Sequence, residues 1–267
     1  MHIIAIANQK GGVGKTTLCA SLSTELAIAG NRVLMIDADP QANLTKYFLT
    51  PEKVTTSLSN SLLSNSPLAN ETLTTAVLNL SIVPSRISLA SFEREPPQAM
   101  AELKQHIKSV ASDYDFILID TPPHFGLLLS ASLVAANYVL VPVESAPFAL
   151  DGLNDLLEVI EKMRQFNENL EILGLLSTLY DARTTIAKDC HNEIMKVGTE
   201  KNLRVFDTII NRDTKLQASS GSYQPIQLYA PTAPSVERFE ALAEEISRTL
   251  SASPKLRAVG GKKVVNE

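Results

Sequence analysis

The stretch Ile3-Ile4-Ala5-Ile6-Ala7-Asn8-Gln9-Lys10-Gly11-Gly12-Val13-Gly14-Lys15-Thr16-Thr17 decides the fold. A short apolar run leads straight into a glycine-rich turn, and a helical pattern follows it. That order of strand, loop and helix is what a phosphate-binding loop requires. Gly11, Gly12 and Gly14 allow backbone angles closed to other residues, so successive amides can point at phosphate oxygens. A helix beginning near Lys15 adds its positive end. Lys15 is placed to reach the β and γ phosphates of a nucleotide, and the Thr16 hydroxyl to bind Mg²⁺.

The loop breaks the usual G-x-x-x-x-G-K-[ST] rule at one point. Gln9 stands where the first glycine belongs, with a second lysine, Lys10, beside it. Lys10 either folds back on its own subunit or points out to a nucleotide held by a second chain. In the second case it acts as an arginine-finger equivalent, a device worth roughly 10³–10⁵ in rate in related chemistry.

Working outward, two apolar runs end in acids. Val33-Leu34-Met35-Ile36 runs into Asp37-Ala38-Asp39-Pro40-Gln41, and Phe116-Ile117-Leu118-Ile119 into Asp120-Thr121-Pro122-Pro123. Ligands of parallel α/β sheets lie at the carboxyl ends of strands, so both clusters are expected beside the loop. Asp120 fits a Mg²⁺ role, through water or through Thr16. Asp37 and Asp39 point to opposite faces of a continuing strand, so one approaches Mg²⁺ while the other orients water. No glutamate follows Asp120 to act as base. No [NT]-K-x-D guanine-reading motif follows the run at 172–179, which favours ATP over GTP.

Strand-length apolar runs at 3–7, 32–36, 80–83, 116–119, 138–142, 172–179 and 205–209 alternate with helical patterns. The helices are expected at 15–29, 98–111, 126–135, 149–166, 186–198 and 235–250. This alternation predicts an α/β fold, a mostly parallel sheet with helices on both faces. One domain is expected over residues 1–251, followed by a disordered basic tail at 252–267. Residues 51–79, rich in Ser, Thr and Asn, read as short helices on the surface. The apolar stripe Leu150, Leu153, Leu157, Ile160 and Met163 reads as core, and His124 as a surface histidine. Cys19 and Cys190 form no CxxC pair and read as buried free thiols in a reducing cytosol. No signal peptide or membrane-spanning run is visible. A net charge of −5 argues against a globally basic nucleic-acid binder but allows a local basic patch.

The three motifs Lys10–Thr17, Asp37–Gln41 and Ile119–Pro123 together resemble the deviant Walker A ATPases, and within them the ParA/Soj partition group. The likeness extends through Val141-Pro-Val143, Phe148-Ala-Leu-Asp-Gly152, Tyr180-Asp-Ala-Arg-Thr184, Val205-Phe-Asp-Thr208 and Pro225-Ile226, nearly the whole chain. It implies an ATP-dependent homodimer sandwiching two nucleotides. ATP and Mg²⁺ are then held by Lys10, Gly11, Gly12, Val13, Gly14, Lys15, Thr16, Thr17 and Asp120. Lys10 matches the lysine that contacts the partner's phosphates, Asp39 the aspartate needed for hydrolysis, and Asp37 its neighbour near Mg²⁺. The resemblance further implies non-specific DNA binding on the nucleoid and stimulation of hydrolysis by a ParB-type partner. Arg183 and Lys215 match the DNA-contacting arginines, with Arg212 close by. Lys215 keeps the charge but loses the bidentate fork. The chain departs from the group at Asn211-Arg212-Asp213, where relatives carry Pro-Arg-Asn, and at Tyr223-Gln224, where they carry Gly-Lys.

Nine residues before Lys10 leave no room for an operator-reading helix-turn-helix, so sequence-specific autorepression is not expected. A related ATPase that positions a protein assembly would use the same chemistry with another adaptor. A MinD-like membrane-surface ATPase would end in an amphipathic helix with bulky apolar residues. The tail has glycine at its centre and no aromatic residue, so no stable membrane association is expected.

Overall fold

Uninterrupted apolar runs become strands of one sheet because both of its faces are covered. The computed structural model describes residues 1–146 and 150–252. Its strands are β1 (His2–Ile6), β2 (Val33–Asp37), β3 (Leu73–Thr74), β4 (Leu80–Val83), β5 (Phe116–Asp120), β6 (Tyr138–Glu144) and β7 (Glu171–Thr178). They lie in the order β3-β4-β2-β5-β1-β6-β7, and every neighbouring pair is parallel except β3 with β4. The α-helices are α1 (Lys15–Ile28), α2 (Asn43–Phe48), α3 (Leu58–Ser64), α4 (Glu102–Lys108), α5 (Leu127–Ala135), α6 (Asp151–Met163), α7 (Thr185–Glu200), α8 (Thr214–Gly221), α9 (Ile226–Tyr229) and α10 (Pro234–Ala252).

Side chains alternate across the sheet, so each strand feeds two cores. Ile3 and Ala5 of β1, Leu34 and Ile36 of β2, and Ile117 and Ile119 of β5 face a layer that holds α3, α4, α5 and α6. Ile4 and Ile6, Val33 and Met35, and Leu118 face the opposite layer, where Leu22 and Leu26 of α1 meet Phe239, Leu242 and Ile246 of α10. The expected stripe on α6 is core: Leu153 and Ile160 are buried, and Leu150, Leu157 and Met163 pack partly buried against them. Both cysteines are free and Cys19 is buried as expected, but Cys190 is only half-buried, because it lies at the edge of the buried face of α7.

Three expectations fail locally. Residues 205–209 are not a strand, because only Val205 bridges to β7. The amides of Asp207 and Thr208 instead donate to the buried carboxylate of Glu245 on α10, at 2.9 and 3.0 Å. The helix expected at 98–111 is broken. It begins as a 3-10 turn at Pro97–Ala101, and only Glu102–Lys108 is α-helical. Segment 51–79 is more than surface: α3 buries Leu58 and Leu62, and β3 adds an antiparallel edge to the sheet. The Phe148-Ala149 part of the 148–152 motif, and the tail beyond Ala252, lie outside the described residues.

Candidate functional site

Strand register brings the predicted groups to one edge. Ile6, the last residue of β1, is in register with Asp120 of β5, and Asp120 with Asp37 of β2. The loop after β1 therefore starts beside both carboxylates. Gly12 and Gly14 have φ of 79° and 90°. A Cβ there would meet nothing, so the left-handed backbone and not space demands glycine. Neighbouring strands pin the loop. Asn8 Nδ2 donates to the Pro142 carbonyl at 2.6 Å, while Asn8 Oδ1 accepts from the Lys10 amide at 2.9 Å. Thr178 Oγ1, on β7, donates to the Val13 carbonyl at 3.0 Å. The α1 N-terminus has Gly14 as its cap residue and no side-chain cap, which leaves its first amides to an anion.

Lys15 is 7% exposed, and its Nζ donates to the Lys10 carbonyl at 3.2 Å, so it arches over the loop. Burial lowers its pKa, while Asp120 and Asp39 act to raise it. Asp37 and Asp120 are both fully buried. Asp37 is well satisfied: it accepts the Thr45 hydroxyl at 2.7 Å and the amides of Thr45 and Asp39 at 2.8 and 3.2 Å. Asp120 has no hydrogen-bond partner at either oxygen; Thr16 flanks it without meeting hydrogen-bond geometry. An orphaned buried carboxylate beside a second one is costly alone and suits a divalent cation. Asp39 Oδ1 accepts the Gln41 amide at 2.9 Å, which fixes its buried carboxyl near Lys15. Thr16, Asp37, Asp39 and Asp120 thus fit Mg²⁺ with a nucleotide.

Burial, opposed by the Thr45 hydrogen bonds, pushes the Asp37 carboxyl from 3.8 to about 7. Asp120 moves in the same direction, by burial and then the charge of Asp37. A carboxyl whose folded pKa exceeds its unfolded value opposes folding once it ionises. The stability of the nucleotide-free protein is therefore expected to fall as pH rises from 3.8 through about 7. Urea midpoints at pH 5 and pH 8 check this. The midpoint should drop between them, less so in Asp37→Asn, and a rise contradicts it.

Lys10 takes the first of its two arrangements in the single chain. Its Nζ lies 2.9 Å from Glu144 Oε2 at the end of β6, and its side chain keeps 38% exposure. The other Glu144 oxygen lies 3.8 Å from Arg212.

A cavity of about 470 Å³ opens beside the loop, bounded by Gly12, Gly14, Thr16 and Thr17 and by Tyr47, Leu179, Ile210, Leu216, Ser220 and Tyr223. Tyr47 and Ser220 escaped the sequence reading. The one local signal was the position of Tyr47 on the helix that follows Asp39.

A second depression gathers Arg183, Arg212 and Lys215, the three cations chosen from sequence, and adds Arg238, which was missed. All four are exposed. Two acids share the area. Asp181 pairs with Arg183 through Nε and NH2 at 2.8 and 2.7 Å, and this pairing holds the Asp181 carboxyl down at about 2. Asp213 caps α8, accepting the Lys215 amide at 2.8 Å, and also accepts the Ser235 hydroxyl. The departure at Asp213 is thus a helix cap.

A family model described as an AAA domain matches residues 1–172. The sporulation initiation inhibitor protein Soj of Bacillus subtilis is 36% identical over 92% of this chain and 98% of its own length. The chromosome partitioning protein ParA of Myxococcus xanthus is 34% identical over 96% and 92%. The crystal structure of cobyrinic acid a,c-diamide synthase from Mycobacterium smegmatis, with bound ATP analog and magnesium, superposes with a TM-score of 0.81 at 30% identity, covering 94% of this chain and 96% of that one.

Proposed function

Because the chain belongs to the Soj/ParA family of chromosome-partitioning ATPases, we propose that it is an ATP-driven partition switch that dimerises on ATP and then holds DNA without sequence preference. Hydrolysis under the influence of a ParB-type partner releases it. The observation that carries this reading is the orphaned Asp120 carboxylate close to Lys15 and Thr16, which open a helix without a side-chain cap.

The loop amides from Gly11 to Thr17 cradle the phosphates, and Lys15 reaches the β and γ groups. Thr16, with Asp37 and Asp120 behind it, would hold Mg²⁺. The bound cation supplies positive charge for the phosphate oxygens. Asp39 orients the attacking water. Lys10 leaves Glu144 and reaches the nucleotide of the partner subunit, adding charge that the single site lacks. The base lies in the apolar part of the cavity, against Leu179, Ile210 and Leu216.

Arg183, Arg212, Lys215 and Arg238 form the DNA-facing patch, doubled when two chains pair. Such contacts are electrostatic and fall steeply with salt. The protein then resides in the cytoplasm on the nucleoid. Among the described residues no helix is long and apolar enough to cross a membrane.

Retention of a non-specific duplex on filters, with ATP and Mg²⁺ and across a salt series, tests the reading. Wild-type protein should retain DNA with ATP and release it with ADP. Arg183→Glu and Lys215→Glu should each weaken retention about tenfold or more and flatten the salt slope. Equal retention by the variants removes the patch from the function. Retention independent of nucleotide removes the switch.

A further inference from the structure

Three hydroxyls from distant parts of the chain meet at the wall of the nucleotide cavity. Tyr47 of α2 donates to Ser220 of α8 at 2.7 Å. Thr17 of α1 lies 3.1 Å from the Tyr47 hydroxyl and 3.3 Å from that of Ser220. Tyr47 is 6% exposed, and its ring meets Tyr223 edge-on with centroids 6.3 Å apart. The cluster therefore ties the phosphate loop's helix to the helix that follows Asp39 and to the helix that carries Lys215.

Each hydroxyl has a single proton to give. With Tyr47 donating to Ser220, the triangle closes when Ser220 donates to Thr17 and Thr17 to Tyr47. A phosphate oxygen can only accept. When one arrives, the Thr17 proton turns to it and one side of the triangle opens. What remains is a directed chain, from Tyr47 to Ser220 to Thr17 to phosphate. Donation to an anion is stronger than donation to a neutral oxygen, and it polarises the donors behind it.

We propose that Tyr47 and Ser220 are positioning residues whose hydroxyls set Thr17 as a donor to the nucleotide's phosphate and thereby tie nucleotide occupancy to α8. This rests on the nucleotide site described above and extends it to the means by which that site reaches the DNA-facing helix. Sequence neighbours of Thr17 cannot supply the link, since Ser220 lies 203 residues away.

MgADP is the probe, with affinity from calorimetry and hydrogen exchange read over residues 214–221. In the wild type, MgADP should slow exchange there. Tyr47→Phe keeps the ring and removes only the hydroxyl. It should weaken MgADP about threefold to tenfold and abolish the protection that MgADP adds to α8 over the variant's own nucleotide-free exchange. A purely structural tyrosine would lower protection equally with and without MgADP and leave the MgADP increment at its wild-type size, which overturns the relay. Ser220→Ala should copy Tyr47→Phe, Ser220→Thr should restore the wild-type response, and the double variant should be no worse than either single one. Wild-type affinity in both single variants, or effects that simply add, overturns the relay. If these variants behave as wild type while Arg183→Glu still loses DNA, the relay alone is wrong. A wild-type chain that binds no nucleotide overturns both relay and site.

Discussion

Lys15→Ala is expected to lose ATP binding, with an affinity at least about 100-fold below wild type. The lysine is already 7% exposed and arched over the loop, bonded to the Lys10 carbonyl at 3.2 Å. It needs little reordering to meet a phosphate, so its contact adds to affinity almost undiminished. It is also a cation next to the buried, unpartnered Asp120 and the buried Asp39. Alanine removes the phosphate contact and leaves those carboxylates with less compensation. Calorimetric titration with MgATP reads the loss, and circular dichroism checks that the fold persists. Binding within a few-fold of wild type would mean that the phosphates lie elsewhere.

The second large effect falls on hydrolysis. Asp39→Ala should lower the turnover rate about 10²–10⁴-fold, the usual contribution of a group that positions or deprotonates water. ATP binding should survive. Asp39 sits after β2, with its own amide on Asp37 and one carboxyl oxygen on the Gln41 amide, and neither bond depends on Lys15. The ATP state should then persist, and the variant should stay on DNA longer than the wild type. Single-turnover release of labelled phosphate separates chemistry from product release. An unchanged chemical step would exclude Asp39 as the residue that handles water.

Much of the site was readable in the sequence because its requirements are local. A strand, two glycines held at φ of 79° and 90°, and a Lys-Thr pair opening a helix occupy one stretch of chain. Asp37 and Asp120 were readable for a different reason. Each ends an apolar run, and parallel strands deliver their ends to one edge. What stayed hidden depends on long-range pairing. Lys10 meets Glu144 across 134 residues, and Tyr47 meets Ser220 across 173. Arg238 joins the basic depression only because α10 begins beside α8. The run at 205–209 misled for a related reason. Its apolar pattern suits a strand, yet the amides of Asp207 and Thr208 are taken by Glu245, which lies 38 and 37 residues on along the chain. Side-chain competition for backbone donors leaves no mark in the periodicity of the run itself.

We propose that two chains handle ATP together, with Lys10 exchanging Glu144 for the partner subunit's nucleotide. Sedimentation analysis with MgATP tests it most directly when hydrolysis is slowed by Asp39→Ala. That variant should sediment at about twice the 29.0 kDa of one chain. Adding Lys10→Ala should return it to a single chain, while calorimetry still records bound ATP. A Lys10→Ala, Asp39→Ala protein that dimerises at the same ATP concentration would contradict the account.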